Sequence, residues 1–154
     1  METKFRAPTD EAIRFIAANM RQADAVEVRA SSSHEPLAAL LHSVELSNYS
    51  SVVWINGVPV AIFGLVIRDI LTGSGVPWLL SAEQVLNHKR EILVHSKAGV
   101  SQMLTICPRL FNYVHAENKI SIRWLKWLGF SIGEPERYGM NGEIFHRFHQ
   151  ERVS

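Results

Sequence analysis

The chain of 154 residues predicts an α/β layer fold, on three observations. Apolar residues recur at helical spacing through the first third. The middle third then switches to branched and aromatic runs joined by Asn56-Gly57, and residues 110–134 form a strand–helix–strand unit. At 47% hydrophobic and 20% charged, the chain can close one core, so a single domain over residues 1–154 is expected. No internal repeat, low-complexity tract or linker divides it.

In chain order, Thr9 is placed to cap a helix whose apolar face is Ile13, Ile16, Ala17 and Met20. A second periodic piece runs through Ala23, Val26 and Ala30, and the polar stretch Ser31 to Glu35 ends it. Pro36 suits the first turn of a third helix with Leu37, Leu40, Leu41 and Val44 at helical spacing, before a loop over Ser47 to Ser51. Val52 to Ile55 and Val58 to Val66 are strands, and Asn56-Gly57 between them makes an antiparallel hairpin because both residues accept positive φ. Pro59 cannot donate to a ladder, so the strand edge there must be free or bulged. After a turn at Gly73-Ser74-Gly75, Val76 to Leu80 reads as a buried strand.

Ser81 and Gln84 have the spacing of a capping box. A long helix of over 20 residues, kinked near Gly99, is expected from there to Pro108, carrying Val85, Leu86, Ile92, Leu93, Val100, Met103 and Leu104. Leu110 to His115 is a strand. Asn118 then caps a helix from about Lys119 to Leu128, whose inner face is Ile122, Leu125 and Leu128 with Trp124 beside them, and Gly129 stops it. Arg123, Lys126 and Trp127 look outward. Ser131 to Gly133 and Ile144 to His149 are the closing strands, with a turn at Asn141-Gly142.

A formal net charge of +1 with interspersed signs gives no basic footprint, which argues against a nucleic-acid partner. The one cysteine, Cys107, at the apolar end of a helix, reads as a buried structural thiol in a reducing cytoplasm. The N-terminal stretch has no apolar leader. The longest apolar run, Val58 to Ile67, is about half a membrane span, so a soluble, unprocessed chain is expected. No H-x-x-x-H, paired-cysteine or Asp/Glu cluster argues for a metal.

Asn118-x-x-Ser121 followed by Leu128-Gly129-Phe130 resembles the N-x-x-(A/S)…(L)GF signature of the GNAT N-acetyltransferase superfamily, and the order of elements matches across nearly the whole chain. The resemblance implies one GNAT-like domain with a mixed, mostly antiparallel sheet of about six to seven strands flanked by helices. More narrowly, WLLSAEQV, LFNYV and the segment Asn118 to Phe130 look like GNAT-like proteins of short-tailed bacteriophages, a family that includes small internal virion proteins. That likeness implies a chain made in the cytoplasm of a host bacterium and incorporated in the virion, with phage virion proteins or a host protein as partners.

The superfamily's enzymes bind acetyl-CoA, whose pyrophosphate sits on a glycine-rich turn after the fourth strand, where backbone amides approach the phosphates closely. Here that turn reads Leu80-Ser81-Ala82-Glu83-Gln84-Val85, with no glycine and an acid that repels phosphate. The tyrosine expected seven residues after the motif asparagine is Leu125, and Val76 to Leu80 holds no carboxylate. By the resemblance, Trp78, Leu79, Leu80, Ser81, Asn118 and Ser121 are the candidate acetyl-CoA cleft. His115 and Glu117, at the adjacent strand end, are either a base for an amine or a solvated pair. Glu27 and His34 either close over the acceptor or are solvent-facing or a helix-flanking pair. Ser121 is either catalytic or a packed first-turn residue. Tyr113 and Tyr138 either present a phenol or pack, and His88 with Lys89 and Arg90 reads as a solvated face. Trp127, flanked by Arg123 and Lys126, is either an interface anchor or tucked under the C-terminal hairpin.

Two functions are therefore carried forward. One is a GNAT-fold protein with degenerate catalytic motifs that acts through protein contacts in the virion or its assembly, or as an early effector binding a host enzyme. The other is an acetyl-CoA dependent N-acetyltransferase acting on an amine of a protein or small molecule.

Overall fold

Asn56 and Gly57 adopt φ of 50° and 79°, the left-handed values a two-residue hairpin turn needs. The runs on either side pair antiparallel as expected, and the register slips between Val53 and Trp54, so the ladder bulges where Pro59 has no N–H to give. This hairpin starts the larger part of the sheet. A computed structural model describes residues 2–153 of the 1–154 span. Its strands are β1 (Thr3–Arg6), β2 (Tyr49–Ile55), β3 (Val58–Asp69), β4 (Ser74–Ser81), β5 (Arg109–His115), β6 (Ser131–Tyr138) and β7 (Glu143–Glu151). The helices are α1 (Asp10–Ala18), α2 (Gln22–Ser32), α3 (Pro36–Leu46), α4 (Lys89–Ile106) and α5 (Lys119–Trp127), with a 3₁₀ segment at Glu83–His88 before α4.

The strands form one seven-stranded sheet in the order β1-β2-β3-β4-β5-β7-β6. All neighbours are antiparallel except β4 and β5. One face is covered by α1, α2 and α3, where Ala12, Ile13, Ile16 and Leu40 pack on Val52, Ile62 and Leu80. The other is covered at one end by the 3₁₀ segment and the start of α4, through Val85 and Ile92 against Val53, Val60 and Ala61. At the other end Met103 and Leu104 meet Leu65, Leu110, Val114, Phe130 and Phe148. Thr9 caps α1 by accepting from the Ala12 amide at 3.2 Å, and Pro36 opens α3, both as expected. Gly129 follows α5 at φ 98°.

Several elements differ from the sequence reading. Thr3–Arg6 is an edge strand on β2, although it is too short and too polar to show alternation. The buried side of α2 is Asp24, Ala25, Val28 and Ala30, not Ala23 and Val26, because Asp24 is drawn inward by Arg21. Ser74 and Gly75 already belong to β4, and Tyr49 already belongs to β2. β6 runs on from Gly133 to Tyr138, paired with β7. The Ser81–Gln84 capping box does not form, since Ser81 is still strand. Its N–H donates to Asp24 Oδ2 and its C=O accepts from the Arg21 N–H, while Ala82 bridges to Met20. The 3₁₀ segment then delays the α-helix to Lys89, which leaves it 18 residues long and continuous through Gly99. Asn118 makes no cap bond either, because its side chain turns inward to Arg21.

β4 and β5 pair through two residues only, Ser74 with Arg109 and Gly75 with Leu110, and then diverge. Gly75 sits at that junction with Cys107 against it. A Cβ added at Gly75 would lie 2.7 Å from Cys107 Sγ and 3.0 Å from Leu65 Cδ1. Gly75→Ala is therefore expected to destabilise the fold by about 1–3 kcal/mol in urea unfolding. Adding Cys107→Ala should recover part of that loss, a non-additive result that identifies the Gly75–Cys107 contact as its cause.

Candidate active site

Once two neighbouring strands part, the backbone groups between them must find other partners. Just past β4, Ala82 N–H donates to Val60 O on β3. Ser81 N–H points the other way, to Asp24 Oδ2 at 3.0 Å, and Pro77 O accepts from Asn112 Nδ2 on β5 at 2.8 Å. Odd-numbered residues of β4 thus face the gap, and by the two-residue period Leu79 N–H faces it as well. On the β5 side, His115 N–H donates to Glu27 Oε1 at 2.7 Å, and Tyr113 N–H donates to Asn112 Oδ1. Side chains from α2 and β5 replace the missing ladder at both ends of the gap. Between them Leu79 N–H is the amide left over.

The gap leads into a cavity of about 540 Å³. It passes through the sheet: Asp24, Glu27, Trp78 and Leu80 line the α2 side, and Phe63, Leu79 and residues of α4 line the other. Glu27 and Asp24 come from one helix at spacing i, i+3, which puts both carboxylates on the same side. Arg21, just before α2, answers them. Its Nη2 donates to Asp24 Oδ1 at 2.8 Å, to Asn118 Oδ1 at 3.0 Å and to Ser121 Oγ at 2.8 Å, while its guanidinium lies 5.9 Å from the centre of the Trp124 ring. Asn118 Nδ2 donates to Glu27 Oε1 at 3.3 Å and Asp24 Oδ1 at 3.4 Å, tying the pair together.

Both acids are pushed up. For Asp24, burial raises the carboxyl above its usual range, against the lowering effect of Arg21 and the bonds from Ser81 and Asn118. For Glu27, burial and then the charge of Asp24 outweigh the bonds from His115 and Asn118, and its pKa rises to about 7. A carboxyl that titrates near neutrality in a cavity can take a proton and later release it.

The structure brings most of the sequence candidates together. Trp78, Leu79, Leu80 and Ser121 line the cavity, with the Trp78 indole N–H on Ser47 Oγ at 2.7 Å. Ser81 and Asn118 are buried in the polar network, although the Ser81 hydroxyl itself has no partner. His115 is also buried. Its Nε2 meets Glu143 Oε1 at 2.8 Å and its Nδ1 accepts from the Glu117 N–H, so the ring faces β7. Glu117 is exposed, and it joins the network through its backbone alone. Leu125 lines the cavity where the resemblance expects a phenol. Tyr113 and Tyr138 stack at 3.7 Å. His34 is exposed and edge-on to His42, apart from Glu27. Trp127 is 51% exposed under Lys97 Nζ, not beneath the C-terminal hairpin. Cys107 is buried, and burial pushes its thiol up.

Sequence reasoning missed Arg21 and Asp24. The signal was Arg21, Asp24 and Glu27 at intervals of three, which reads as the solvated side of a helix until a second polar set, Asn118 and Ser121, is placed opposite it.

The turn after β4 is a poor cradle for a pyrophosphate. The amides of Ser81, Ala82 and Glu83 are taken by Asp24, Val60 O and Asn19 O, and Glu83 Oε1 accepts from the Gln22 N–H in the same place. The cavity between the diverging strands, by contrast, is open to a thioester arm. Among the described residues, no group of three or more His, Cys, Asp or Glu could hold a metal, and no helix is long and apolar enough to cross a membrane.

The whole chain superposes on solved acetyltransferase structures. Spermidine N-acetyltransferase from Vibrio cholerae, in complex with CoA and spermine, superposes with a TM-score of 0.72 at 15% identity, over 97% of this chain and 95% of that one. The chain has the GNAT fold. Ribosomal-protein-S5-alanine acetyltransferase from Vibrio fischeri shares this GNAT fold with a TM-score of 0.71 and 16% identity, over 100% and 95% of the two chains. A GNAT-family acetyltransferase from Streptococcus pneumoniae does so at 0.64 and 15%, over 99% and 100%. At these identities the likeness concerns the fold. No protein-family model matches the sequence, and no curated protein does.

Two outcomes are expected for this network. Arg21→Ala leaves Asp24 buried without its cation and should cost about 3–5 kcal/mol in urea unfolding. Glu27 binds its proton more tightly folded than unfolded, so between about pH 4.5 and 7 the native state holds more protons and its stability falls as pH rises. Glu27→Gln keeps an acceptor for the His115 N–H. Its unfolding midpoint should therefore decline less with pH than that of the parent chain over this window.

Proposed function

We propose that this chain is an N-acyltransferase that moves an acyl group from a thioester to a primary amine, with Glu27 as general base. The observation that carries the reading is a carboxyl titrating at about 7 where a cavity opens between two strands that have parted. Glu27 takes a proton from the ammonium form of the acceptor. The freed nitrogen forms a C–N bond with the thioester carbonyl carbon, and the negative charge on oxygen is met by the Leu79 N–H. The C–S bond then breaks with its electron pair on sulfur. Leu125 has no proton to give, so the thiolate takes one from water, and the second proton of the nitrogen passes to solvent. The donor is an acyl-CoA held through its acyl and pantetheine portions, because the Ser81, Ala82 and Glu83 amides after β4 are already taken. The solved neighbours of this fold include acetyltransferases for spermidine and for a ribosomal protein, which supports an amine acceptor. Of the earlier catalytic candidates, His115 serves by holding Glu27 through its backbone N–H, and Glu117 stays outside the chemistry.

A second reading rests on a separate observation. The occupied amides of Ser81, Ala82 and Glu83, together with the exposed Trp127 on α5, suit a GNAT-fold protein that works through contacts, in a phage virion or on a host protein. Thiol release from acyl-CoA, assayed with spermidine and with an alanine-initiated peptide as acceptors, separates the two. The acyltransferase should show kcat/KM rising with pH through about 7. Glu27→Gln should lose that limb and about 10²–10⁴-fold of the rate. Absence of turnover with every acceptor, together with recovery of the chain from purified virions by mass spectrometry, would establish the contact protein instead.

A further inference from the structure

The cavity has to take the pantetheine arm as well as the acyl group, and much of its lining comes from α4. It measures about 540 Å³ and opens to solvent. Part of this space lies beneath α4. Ile92, Ser96, Gly99 and Met103 fall at i, i+4, i+7 and i+11 on one stripe of α4. Ile92 and Met103 are buried at its two ends, at 3% and 5% exposure. In the middle Ser96 and Gly99 line the cavity, and a Cβ added at Gly99 would meet nothing within 4 Å. The helix therefore stands off the sheet between two anchored ends. Phe63 and Leu79 floor the space, and Phe5, whose ring centre is 6.3 Å from that of Phe63, stands at the β1 side.

We propose that the space under α4 takes the aliphatic chain of the donor, so that the preferred thioester carries a medium-length acyl group of about eight carbons and not acetyl. This rests on the acyltransferase reading. The chain enters from the gap at Leu79, where the carbonyl meets the N–H, and runs beneath Ser96 and Gly99 toward Phe5. A hydrocarbon chain gains from each methylene buried there, by about fourfold in affinity when burial is complete.

The test compares acetyl-CoA with octanoyl-CoA in two measurements: calorimetric binding without acceptor, and thiol release with spermidine. Octanoyl-CoA should bind at least tenfold more tightly and show the higher kcat/KM. Gly99→Phe should bring the octanoyl-to-acetyl ratio down by at least tenfold, and Ser96→Leu should move it in the same direction by less. A ratio that is flat or favours acetyl overturns the proposal even where acetyl transfer proceeds. A binding preference for octanoyl-CoA that Gly99→Phe abolishes, seen without any transfer, keeps the chain site and removes the catalytic reading instead. Dodecanoate is the third ligand. If it binds while octanoyl-CoA does not, the cavity holds free fatty acid and the assignment to the donor fails.

Discussion

The parting of β4 and β5 after two residue pairs is the constraint on which the rest depends. A sheet interior is normally self-satisfying, since each strand completes its neighbour's hydrogen bonds. Here a row of backbone groups is set free in the middle of the fold, where leaving them unpaired costs about 1–3 kcal/mol each. Asp24, Glu27 and Asn112 are the answers to that cost. Acidic side chains are thus drawn to the centre of the molecule for a structural reason, and their chemistry follows from where they stand. Carboxylates that accept from edge amides inside a cavity are also carboxylates short of water, and one of them is consequently poised near neutral pH.

Arg21 makes this arrangement tolerable. Two acids on adjoining turns repel each other, and without a cation both would resist ionisation. The guanidinium reaches Asp24 directly and reaches Glu27 only through Asn118, so the two acids are treated unequally. Asp24 has a direct cationic partner and Glu27 has none, and burial pushes both carboxyls up, Glu27 to about 7. Ser121 and Asn118 belong to the motif that marks the fold, and in this chain their side chains are oriented by Arg21. The motif residues thereby connect α5 to the start of α2, across almost a hundred residues of sequence.

Features with a local cause were legible in the sequence. Asn56-Gly57, Thr9, Pro36 and Gly129 each act within a few residues of themselves, and each does what its chemistry dictates. Ser81 and Gln84 have the right spacing for a cap and fail at it, because bonds from Asp24 and Arg21 hold Ser81 in the strand. Asn118 likewise leaves its cap position for a partner 97 residues away. The candidate site shows the same division. Trp78, Leu79, Leu80 and Ser121 could be placed through the fold resemblance, whereas Arg21, Asp24 and the inward turn of Glu27 depend on which helix face meets which strand end. The hydrophobic spacing of α2 is too weak to decide that.

The seam between β4 and β5 also bears on how the molecule comes together. β2, β3 and β4 follow one another with short connections, and β6 and β7 form a hairpin. Each part can assemble from nearby segments, while joining them means closing the long loop through α4 before two ladder pairs, the packing of Leu65 on Leu110, Val114 and Phe148, and the Arg21 network can form. Such a union has a high entropic threshold and a reward that comes only from distant segments, which places it late in folding. The cavity has its walls on both sides of that seam. Its completion is therefore a last event in the life of the nascent chain, and no partly folded form of the protein would possess it.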